Sequence, residues 1–151
     1  MRHKTTDRMS DAQAAHRCSI LVVDDDVDVG ELMRMTLEAE RYEVACVRNG
    51  REALNHLRSH ADTCIILLDL MLPVMDGTHF RTAQLNDRSL AWIPVVLMSG
   101  ALDAERRARE LGARRIVKKP LDLDEVKHAL RSVGCAQARP RRATGSDRTI
   151  L

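Results

Sequence analysis

Four groups of polar residues in this 151-residue chain each stand directly behind a short segment that reads as a strand. Asp24, Asp25 and Asp26 follow Ile-Leu-Val-Val, and Asp69 follows Ile-Ile-Leu-Leu. Ser99 and Gly100 follow Val-Val-Leu-Met, and Lys119 and Pro120 follow Arg-Ile-Val-Lys. Clustered carboxylates repel one another, so together they need a cation or hold protons. A hard divalent ion answers that need. Mg²⁺ keeps several waters and uses one or two carboxylates together with phosphate oxygens, which favours a site that takes up a phosphoryl group over a closed metal cage. An aspartate can accept that group covalently, with a metal and a lysine balancing the charge on the transferring oxygens. The Ser99 hydroxyl could bond the new phosphate, and Gly100 leaves room beside it.

Such residues meet only if the apolar runs are neighbouring strands. Cys18–Val23, Tyr42–Val47, Thr63–Leu68, Pro94–Met98 and Arg115–Lys118 read as five short strands without period-two alternation. Between them lie amphipathic stretches. Val29, Leu32, Met33 and Leu37 form one helical face, and Ala53, Leu54 and Leu57 a second. Phe80, Ala83 and Leu85 mark a weakly patterned third helix over residues 78–86. A fourth, capped by Asp103 and ending near Gly112, has few large apolar residues and is expected to be marginally held. Asp122 and Glu125 open the last helix like a capping box, with Val126, Ala129, Leu130 and Val133 on one face. Strand then helix, five times over, predicts an α/β fold: a doubly wound parallel sheet covered on both sides. Ligands of such sheets bind beyond the carboxyl ends of the strands, where the polar groups stand.

Composition narrows the classes. Aromatics are only 2%, so the core must be aliphatic, and a net charge of +2 is too small to argue for nucleic acid across the whole chain. No apolar run approaches the ~20 residues that span a bilayer, and residues 1–17 lack the apolar stretch of a signal peptide. Four cysteines, none at CxxC spacing, suggest reduced thiols and a cytoplasmic protein. No Gly-rich nucleotide motif is present. The expected organisation is a flexible arm over residues 1–17, one domain over 18–135 and a basic tail over 136–151.

Each residue also has a plain reading. An Asp triplet after a strand is often a turn and helix cap, and a lone Lys119 is most often solvated. Their joint placement behind strands one, three, four and five carries the functional reading. His56 and His60, four apart on a helix, could chelate a metal, but no accompanying carboxylate motif supports it, so a solvated face is expected there. His79 is expected on the surface near the site, and Met35 lies off the apolar face of its helix.

The segments ILVVDDD, LLDLMLPVMDG, VVLMSG and VKKP, in that order, resemble the receiver domain of the two-component response regulator family, of the CheY-like, single-domain type. The resemblance covers roughly Cys18 to Cys135. It implies a flavodoxin-like sheet of strand order 2-1-3-4-5, and Asp69 as the phosphoacceptor. It implies Mg²⁺ held by Asp24, Asp25, Asp69 and the backbone carbonyl of Met71, and Ser99 and Lys119 as partners of the phosphoryl group. It also implies a cis Lys119–Pro120 bond. The implied donor is a histidine kinase or phosphotransfer protein, and the implied output is contact with another protein, without a DNA-binding domain or catalytic turnover of its own. One position departs from the family: Ile116 stands where an aromatic switch residue is usual. Two alternatives stay open, a phosphorylation-independent interaction module and a Mg²⁺-dependent aspartyl phosphohydrolase. The second is disfavoured because Met71 stands where such enzymes carry an acid.

Overall fold

The computed structural model describes residues 17–134. The expected basic tail, and the expected arm apart from Arg17, lie outside the described residues. Five strands alternate with five helices: β1 Ser19–Val23, α1 Val27–Ala39, β2 Glu43–Val47, α2 Gly50–Ser59, β3 Thr63–Asp69, α3 Gly77–Asn86, β4 Val95–Ser99, α4 Ala104–Glu110, β5 Arg115–Lys118 and α5 Leu123–Val133. All strand pairings are parallel, in the order β2-β1-β3-β4-β5. Both the class and the strand order match the expectation.

The absence of alternation in the strands has a direct cause: both faces of the sheet are covered. Leu21, Val23, Ile66, Leu68, Val95 and Leu97 point into one core, closed by Ala53, Leu54 and Leu57 of α2, Phe80 of α3 and Ala108 of α4. Ile20, Val22, Ile65, Leu67, Val96, Met98 and Val117 point into the other, closed by Met33 and Leu37 of α1 and by Val126, Ala129 and Leu130 of α5. Side-chain caps start four of the helices. Asp26, Asn49, Asp76 and Asp122 each accept a backbone N–H of the first turn, a contribution of about 1 kcal/mol apiece. Asp103 stands at the expected position before α4 but makes no such bond; its carboxylate pairs with Arg106 at 3.0 Å instead.

Three expectations need correction. Leu32, assigned to the inward face of α1, is 48% exposed, because that helix packs through Gly30, Met33 and Leu37. Leu85 of α3 is 47% exposed, while Arg81 and Gln84 are buried in its place. A helix that buries hydrogen-bonded polar side chains shows no apolar stripe in sequence. Cys18 is disulfide-bonded, against the expectation of reduced thiols; Cys46 and Cys64 are free. Bridging depends on which thiols the folded backbone brings within reach, which linear spacing does not reveal.

Candidate functional site

β1, β3, β4 and β5 lie side by side, so the residues at their carboxyl ends share one edge of the sheet. Asp69 and Ser99 are the last residues of β3 and β4, while Asp24 and Lys119 come one residue after β1 and β5. The pairing Ser99↔Lys118 brings β5 into register with β4, and the Lys119 amide donates to the Ser99 carbonyl at 3.0 Å. The Lys119–Pro120 bond is cis.

Lys119 ties the centre together. Its Nζ donates to Asp24 Oδ2 at 2.9 Å and to Asp69 Oδ2 at 3.0 Å. The remaining oxygen of each aspartate accepts a local amide, Asp26 N to Asp24 Oδ1 at 2.9 Å and Met71 N to Asp69 Oδ1 at 3.1 Å. Burial alone would depress the Lys119 ammonium. The hydrogen bonds and charges of Asp24 and Asp69 outweigh it, and its pKa is raised above the ordinary 10.5. The ammonium is therefore a fixed positive charge at any physiological pH.

The aspartate triplet divides into three roles. Asp24 is buried and bonded to the lysine. Asp25 is exposed, yet one of its carboxylate oxygens lies with those of Asp24 and Asp69 in a group all within 4.8 Å of one another. Asp26 caps α1, accepting from Asp28 N at 2.9 Å and Val29 N at 3.3 Å. Three carboxylates facing one ammonium leave two negative charges unbalanced, with all donor atoms oxygen. That donor set fits a hard divalent cation such as Mg²⁺. No other group of three or more His, Cys, Asp or Glu side chains among the described residues is so arranged.

The surroundings hold this centre in place. Gly77 donates its amide to the Leu70 carbonyl at 3.0 Å, and a Cβ there would come within 2.7 Å of the Asp69 carbonyl oxygen. Only glycine allows α3 to start so close to the strand that presents Asp69. The intervening loop leaves Met71 75% and Val74 78% exposed, the latter with φ 64°, an unfavourable conformation for a β-branched residue. Ser99 is buried, and its hydroxyl accepts the Ala101 amide at 3.2 Å. A Cβ at Gly100 would meet Lys119 at 3.6 Å, an ordinary contact, so sterics do not demand glycine there.

Other singled-out residues fall away from the centre. His79 is 78% exposed and bonds Asp76 at 2.9 Å. His56 and His60 stack with ring centroids 4.1 Å apart. On the face expected to be solvated His60 is exposed and His56 half-buried, and the pKa of His56 is lowered by burial and by His60. Met35 is 67% exposed. Ile116 is half-buried opposite Leu97 and packs on the core closed by α2 and α3. The sequence reading missed Arg81 and Gln84, and a long polar side chain three residues from another on a helix otherwise short of large apolar residues was the available signal.

Comparison with known proteins agrees with this geometry. Residues 20–131 match the response regulator receiver domain family. The chain is 33% identical over 109 residues to the regulatory protein AtoC of Escherichia coli strain K12, covering 71% of this chain and 23% of that protein. It is 31% identical over 115 residues to sporulation initiation phosphotransferase F of Bacillus subtilis strain 168, covering 74% of this chain and 90% of that one. The chain thus spans under a quarter of the first relative and most of the second. Among solved structures, chemotaxis protein CheY4 of Vibrio cholerae superposes with a TM-score of 0.72 at 24% identity, over 78% of this chain and 99% of that one, which supports the shared fold.

Proposed function

The chain belongs to the response regulator receiver domain family, and on that premise we propose that it is a receiver whose Asp69 accepts a phosphoryl group from a histidine kinase or phosphotransfer protein. The observation that carries this reading is Lys119 bridging Asp24 and Asp69 at 2.9 and 3.0 Å beside Asp25. Likeness to a phosphotransferase over 90% of that relative's length supports it.

In the transfer, an oxygen of Asp69 forms the new O–P bond as the N–P bond of the donor phosphohistidine breaks. The imidazole leaves with the electron pair. Asp24, Asp25, Asp69 and the Met71 carbonyl would hold Mg²⁺, which supplies charge stabilisation to the phosphoryl oxygens when bound. Lys119 gives a fixed ammonium to the same oxygens. The Ser99 hydroxyl exchanges its bond with the Ala101 amide for one to the phosphate, which draws the turn after β4 toward the site. Output passes to another protein through the face carrying α4 and β5. Ile116 there is aliphatic, so the response is a repacking rather than the turning of a ring.

The test is labelling by a small phosphodonor with Mg²⁺. Wild-type protein is expected to take up label that chelation of the metal suppresses, and Asp69→Ala is expected to take up none. Equal labelling of wild type and Asp69→Ala, or none in either, would overturn the assignment.

A further inference from the structure

The least expected polar group in the molecule lies away from the acid cluster. Arg81, in the middle of α3, is 6% exposed. Its Nε donates to the Leu111 carbonyl at 2.9 Å, its Nη2 to the Gly112 carbonyl at 3.2 Å and its Nη1 to Gln84 Oε1 at 2.7 Å. Gln84, fully buried, donates its Nε2 to the carbonyls of Leu90 and Ile93, both at 3.0 Å. Among the described residues no carboxylate pairs with the guanidinium. Exchange of a buried charged network for apolar side chains often leaves stability unchanged or improved, so core packing alone does not account for this one.

What the network touches suggests its use. Leu111 and Gly112 close the carboxyl end of α4, where the helix dipole is negative and a cation is favoured. α4 has seven residues, buries only Ala104 and Ala108 and lacks a side-chain cap. Its ion pairs, Arg106 with Asp103 and Glu110 and Lys118 with Glu105, are exposed and contribute little. The bonds from Arg81 are its firmest polar tether. The other end of α4 leads directly to the site. The Ala104 amide donates to the Ala101 carbonyl at 3.3 Å, and the Ala101 amide donates to Ser99 Oγ at 3.2 Å. α4 is a short arm, anchored at one end by Arg81 and joined at the other, through two hydrogen bonds, to the Ser99 hydroxyl.

We propose that Arg81, oriented by Gln84, is a positioning residue for the reaction at Asp69: by anchoring α4 it sets how readily the turn at residues 99–104 moves toward the phosphoryl group. The proposal rests on the reading of Asp69 as phosphoacceptor. Where only a fraction of molecules is competent, the apparent efficiency falls by that fraction, so freeing the arm raises it.

The test is the double variant Arg81→Leu, Gln84→Leu, which removes the network and fills its place with apolar side chains. The expected result is a cooperatively folded protein in which the α4 amides of residues 108–111 exchange with solvent about ten-fold faster before any phosphorylation. Labelling of Asp69 by a small phosphodonor with Mg²⁺ is expected to become roughly three-fold faster or more. Arg81→Lys, which keeps the charge but loses the planar fork, should fall between the two on both measures. Faster exchange with an unchanged labelling rate would make Arg81 a structural brace and overturn the proposal, as would unchanged exchange. If the double variant fails to fold, Arg81→Lys decides by the same two readings. If wild-type protein takes no label, the phosphoacceptor reading fails and the proposal with it, whereas unchanged exchange in a labelled protein fails the proposal alone.

Discussion

Lys119 and Arg81 are both drawn out of water by the fold, and they are treated in opposite ways. Lys119 faces two carboxylates and has a raised pKa, the attraction of Asp24 and Asp69 outweighing the cost of burial. Arg81 faces only carbonyl and amide oxygens, and burial lowers its pKa. The lysine is a compact point charge at a sheet edge that is 28% exposed, open to an incoming group. The guanidinium is a planar fork whose donors are spent on one helix end and one glutamine. The difference teaches how to separate a charge kept for chemistry from one kept for position. The first sits among surplus opposite charge and can exchange partners. The second has neutral, fixed partners and cannot leave them without cost.

The contrast breaks first on activity. Lys119→Ala removes the ammonium from the phosphoryl oxygens and is expected to slow labelling of Asp69 about a hundred-fold, measured as initial rate with a small phosphodonor at saturating Mg²⁺. Arg81→Ala leaves every group of the acid cluster in place and should not approach that loss.

Stability reverses the ranking. Arg81→Ala empties a buried site and leaves Gln84 Oε1 and the carbonyls at the end of α4 without their donor, for an expected loss of about 2–3 kcal/mol in urea unfolding. Full retention of the midpoint would show those acceptors to be satisfied by water, and the contrast would lose its structural half.

The smallest effect lies in alkaline solution. The folded-state pKa of Lys119 is raised above 10.5, so its stabilising contribution is complete below the unfolded value and fades as pH rises through the folded one. Wild-type protein should lose stability above about pH 10.5 more steeply than Lys119→Met, in chemical denaturation followed from pH 9 upward. Parallel curves would mean that the lysine gains nothing from its two carboxylates.

Much of the site was legible in the chain because strand ends are legible. Asp69 and Ser99 each follow four apolar residues and Lys119 closely follows the shorter pair Ile116 and Val117, and a parallel sheet leaves only its carboxyl edge for such groups. The roles inside the triplet were not legible. Asp24, Asp25 and Asp26 are identical in type and adjacent, and only backbone direction at the exit of β1 turns one toward Lys119, one toward solvent and one onto α1. Arg81 and Gln84 were hidden for another reason. Sequence patterning recognises burial through apolarity, and these two are buried because their polar atoms find partners 30, 31, 6 and 9 residues away.

The order of strands and helices, the aliphatic core and the edge at which the acids gather follow from local pattern, since a run of apolar residues is buried in any fold that this chain can adopt. The bridge from Lys119 to Asp24 and Asp69 spans 95 and 50 residues, and the tether from Arg81 to α4 spans about 30. Those contacts were decided only in the tertiary structure, because the partners of a buried polar group depend on which distant backbone atoms the packed sheet and helices bring within about 3 Å.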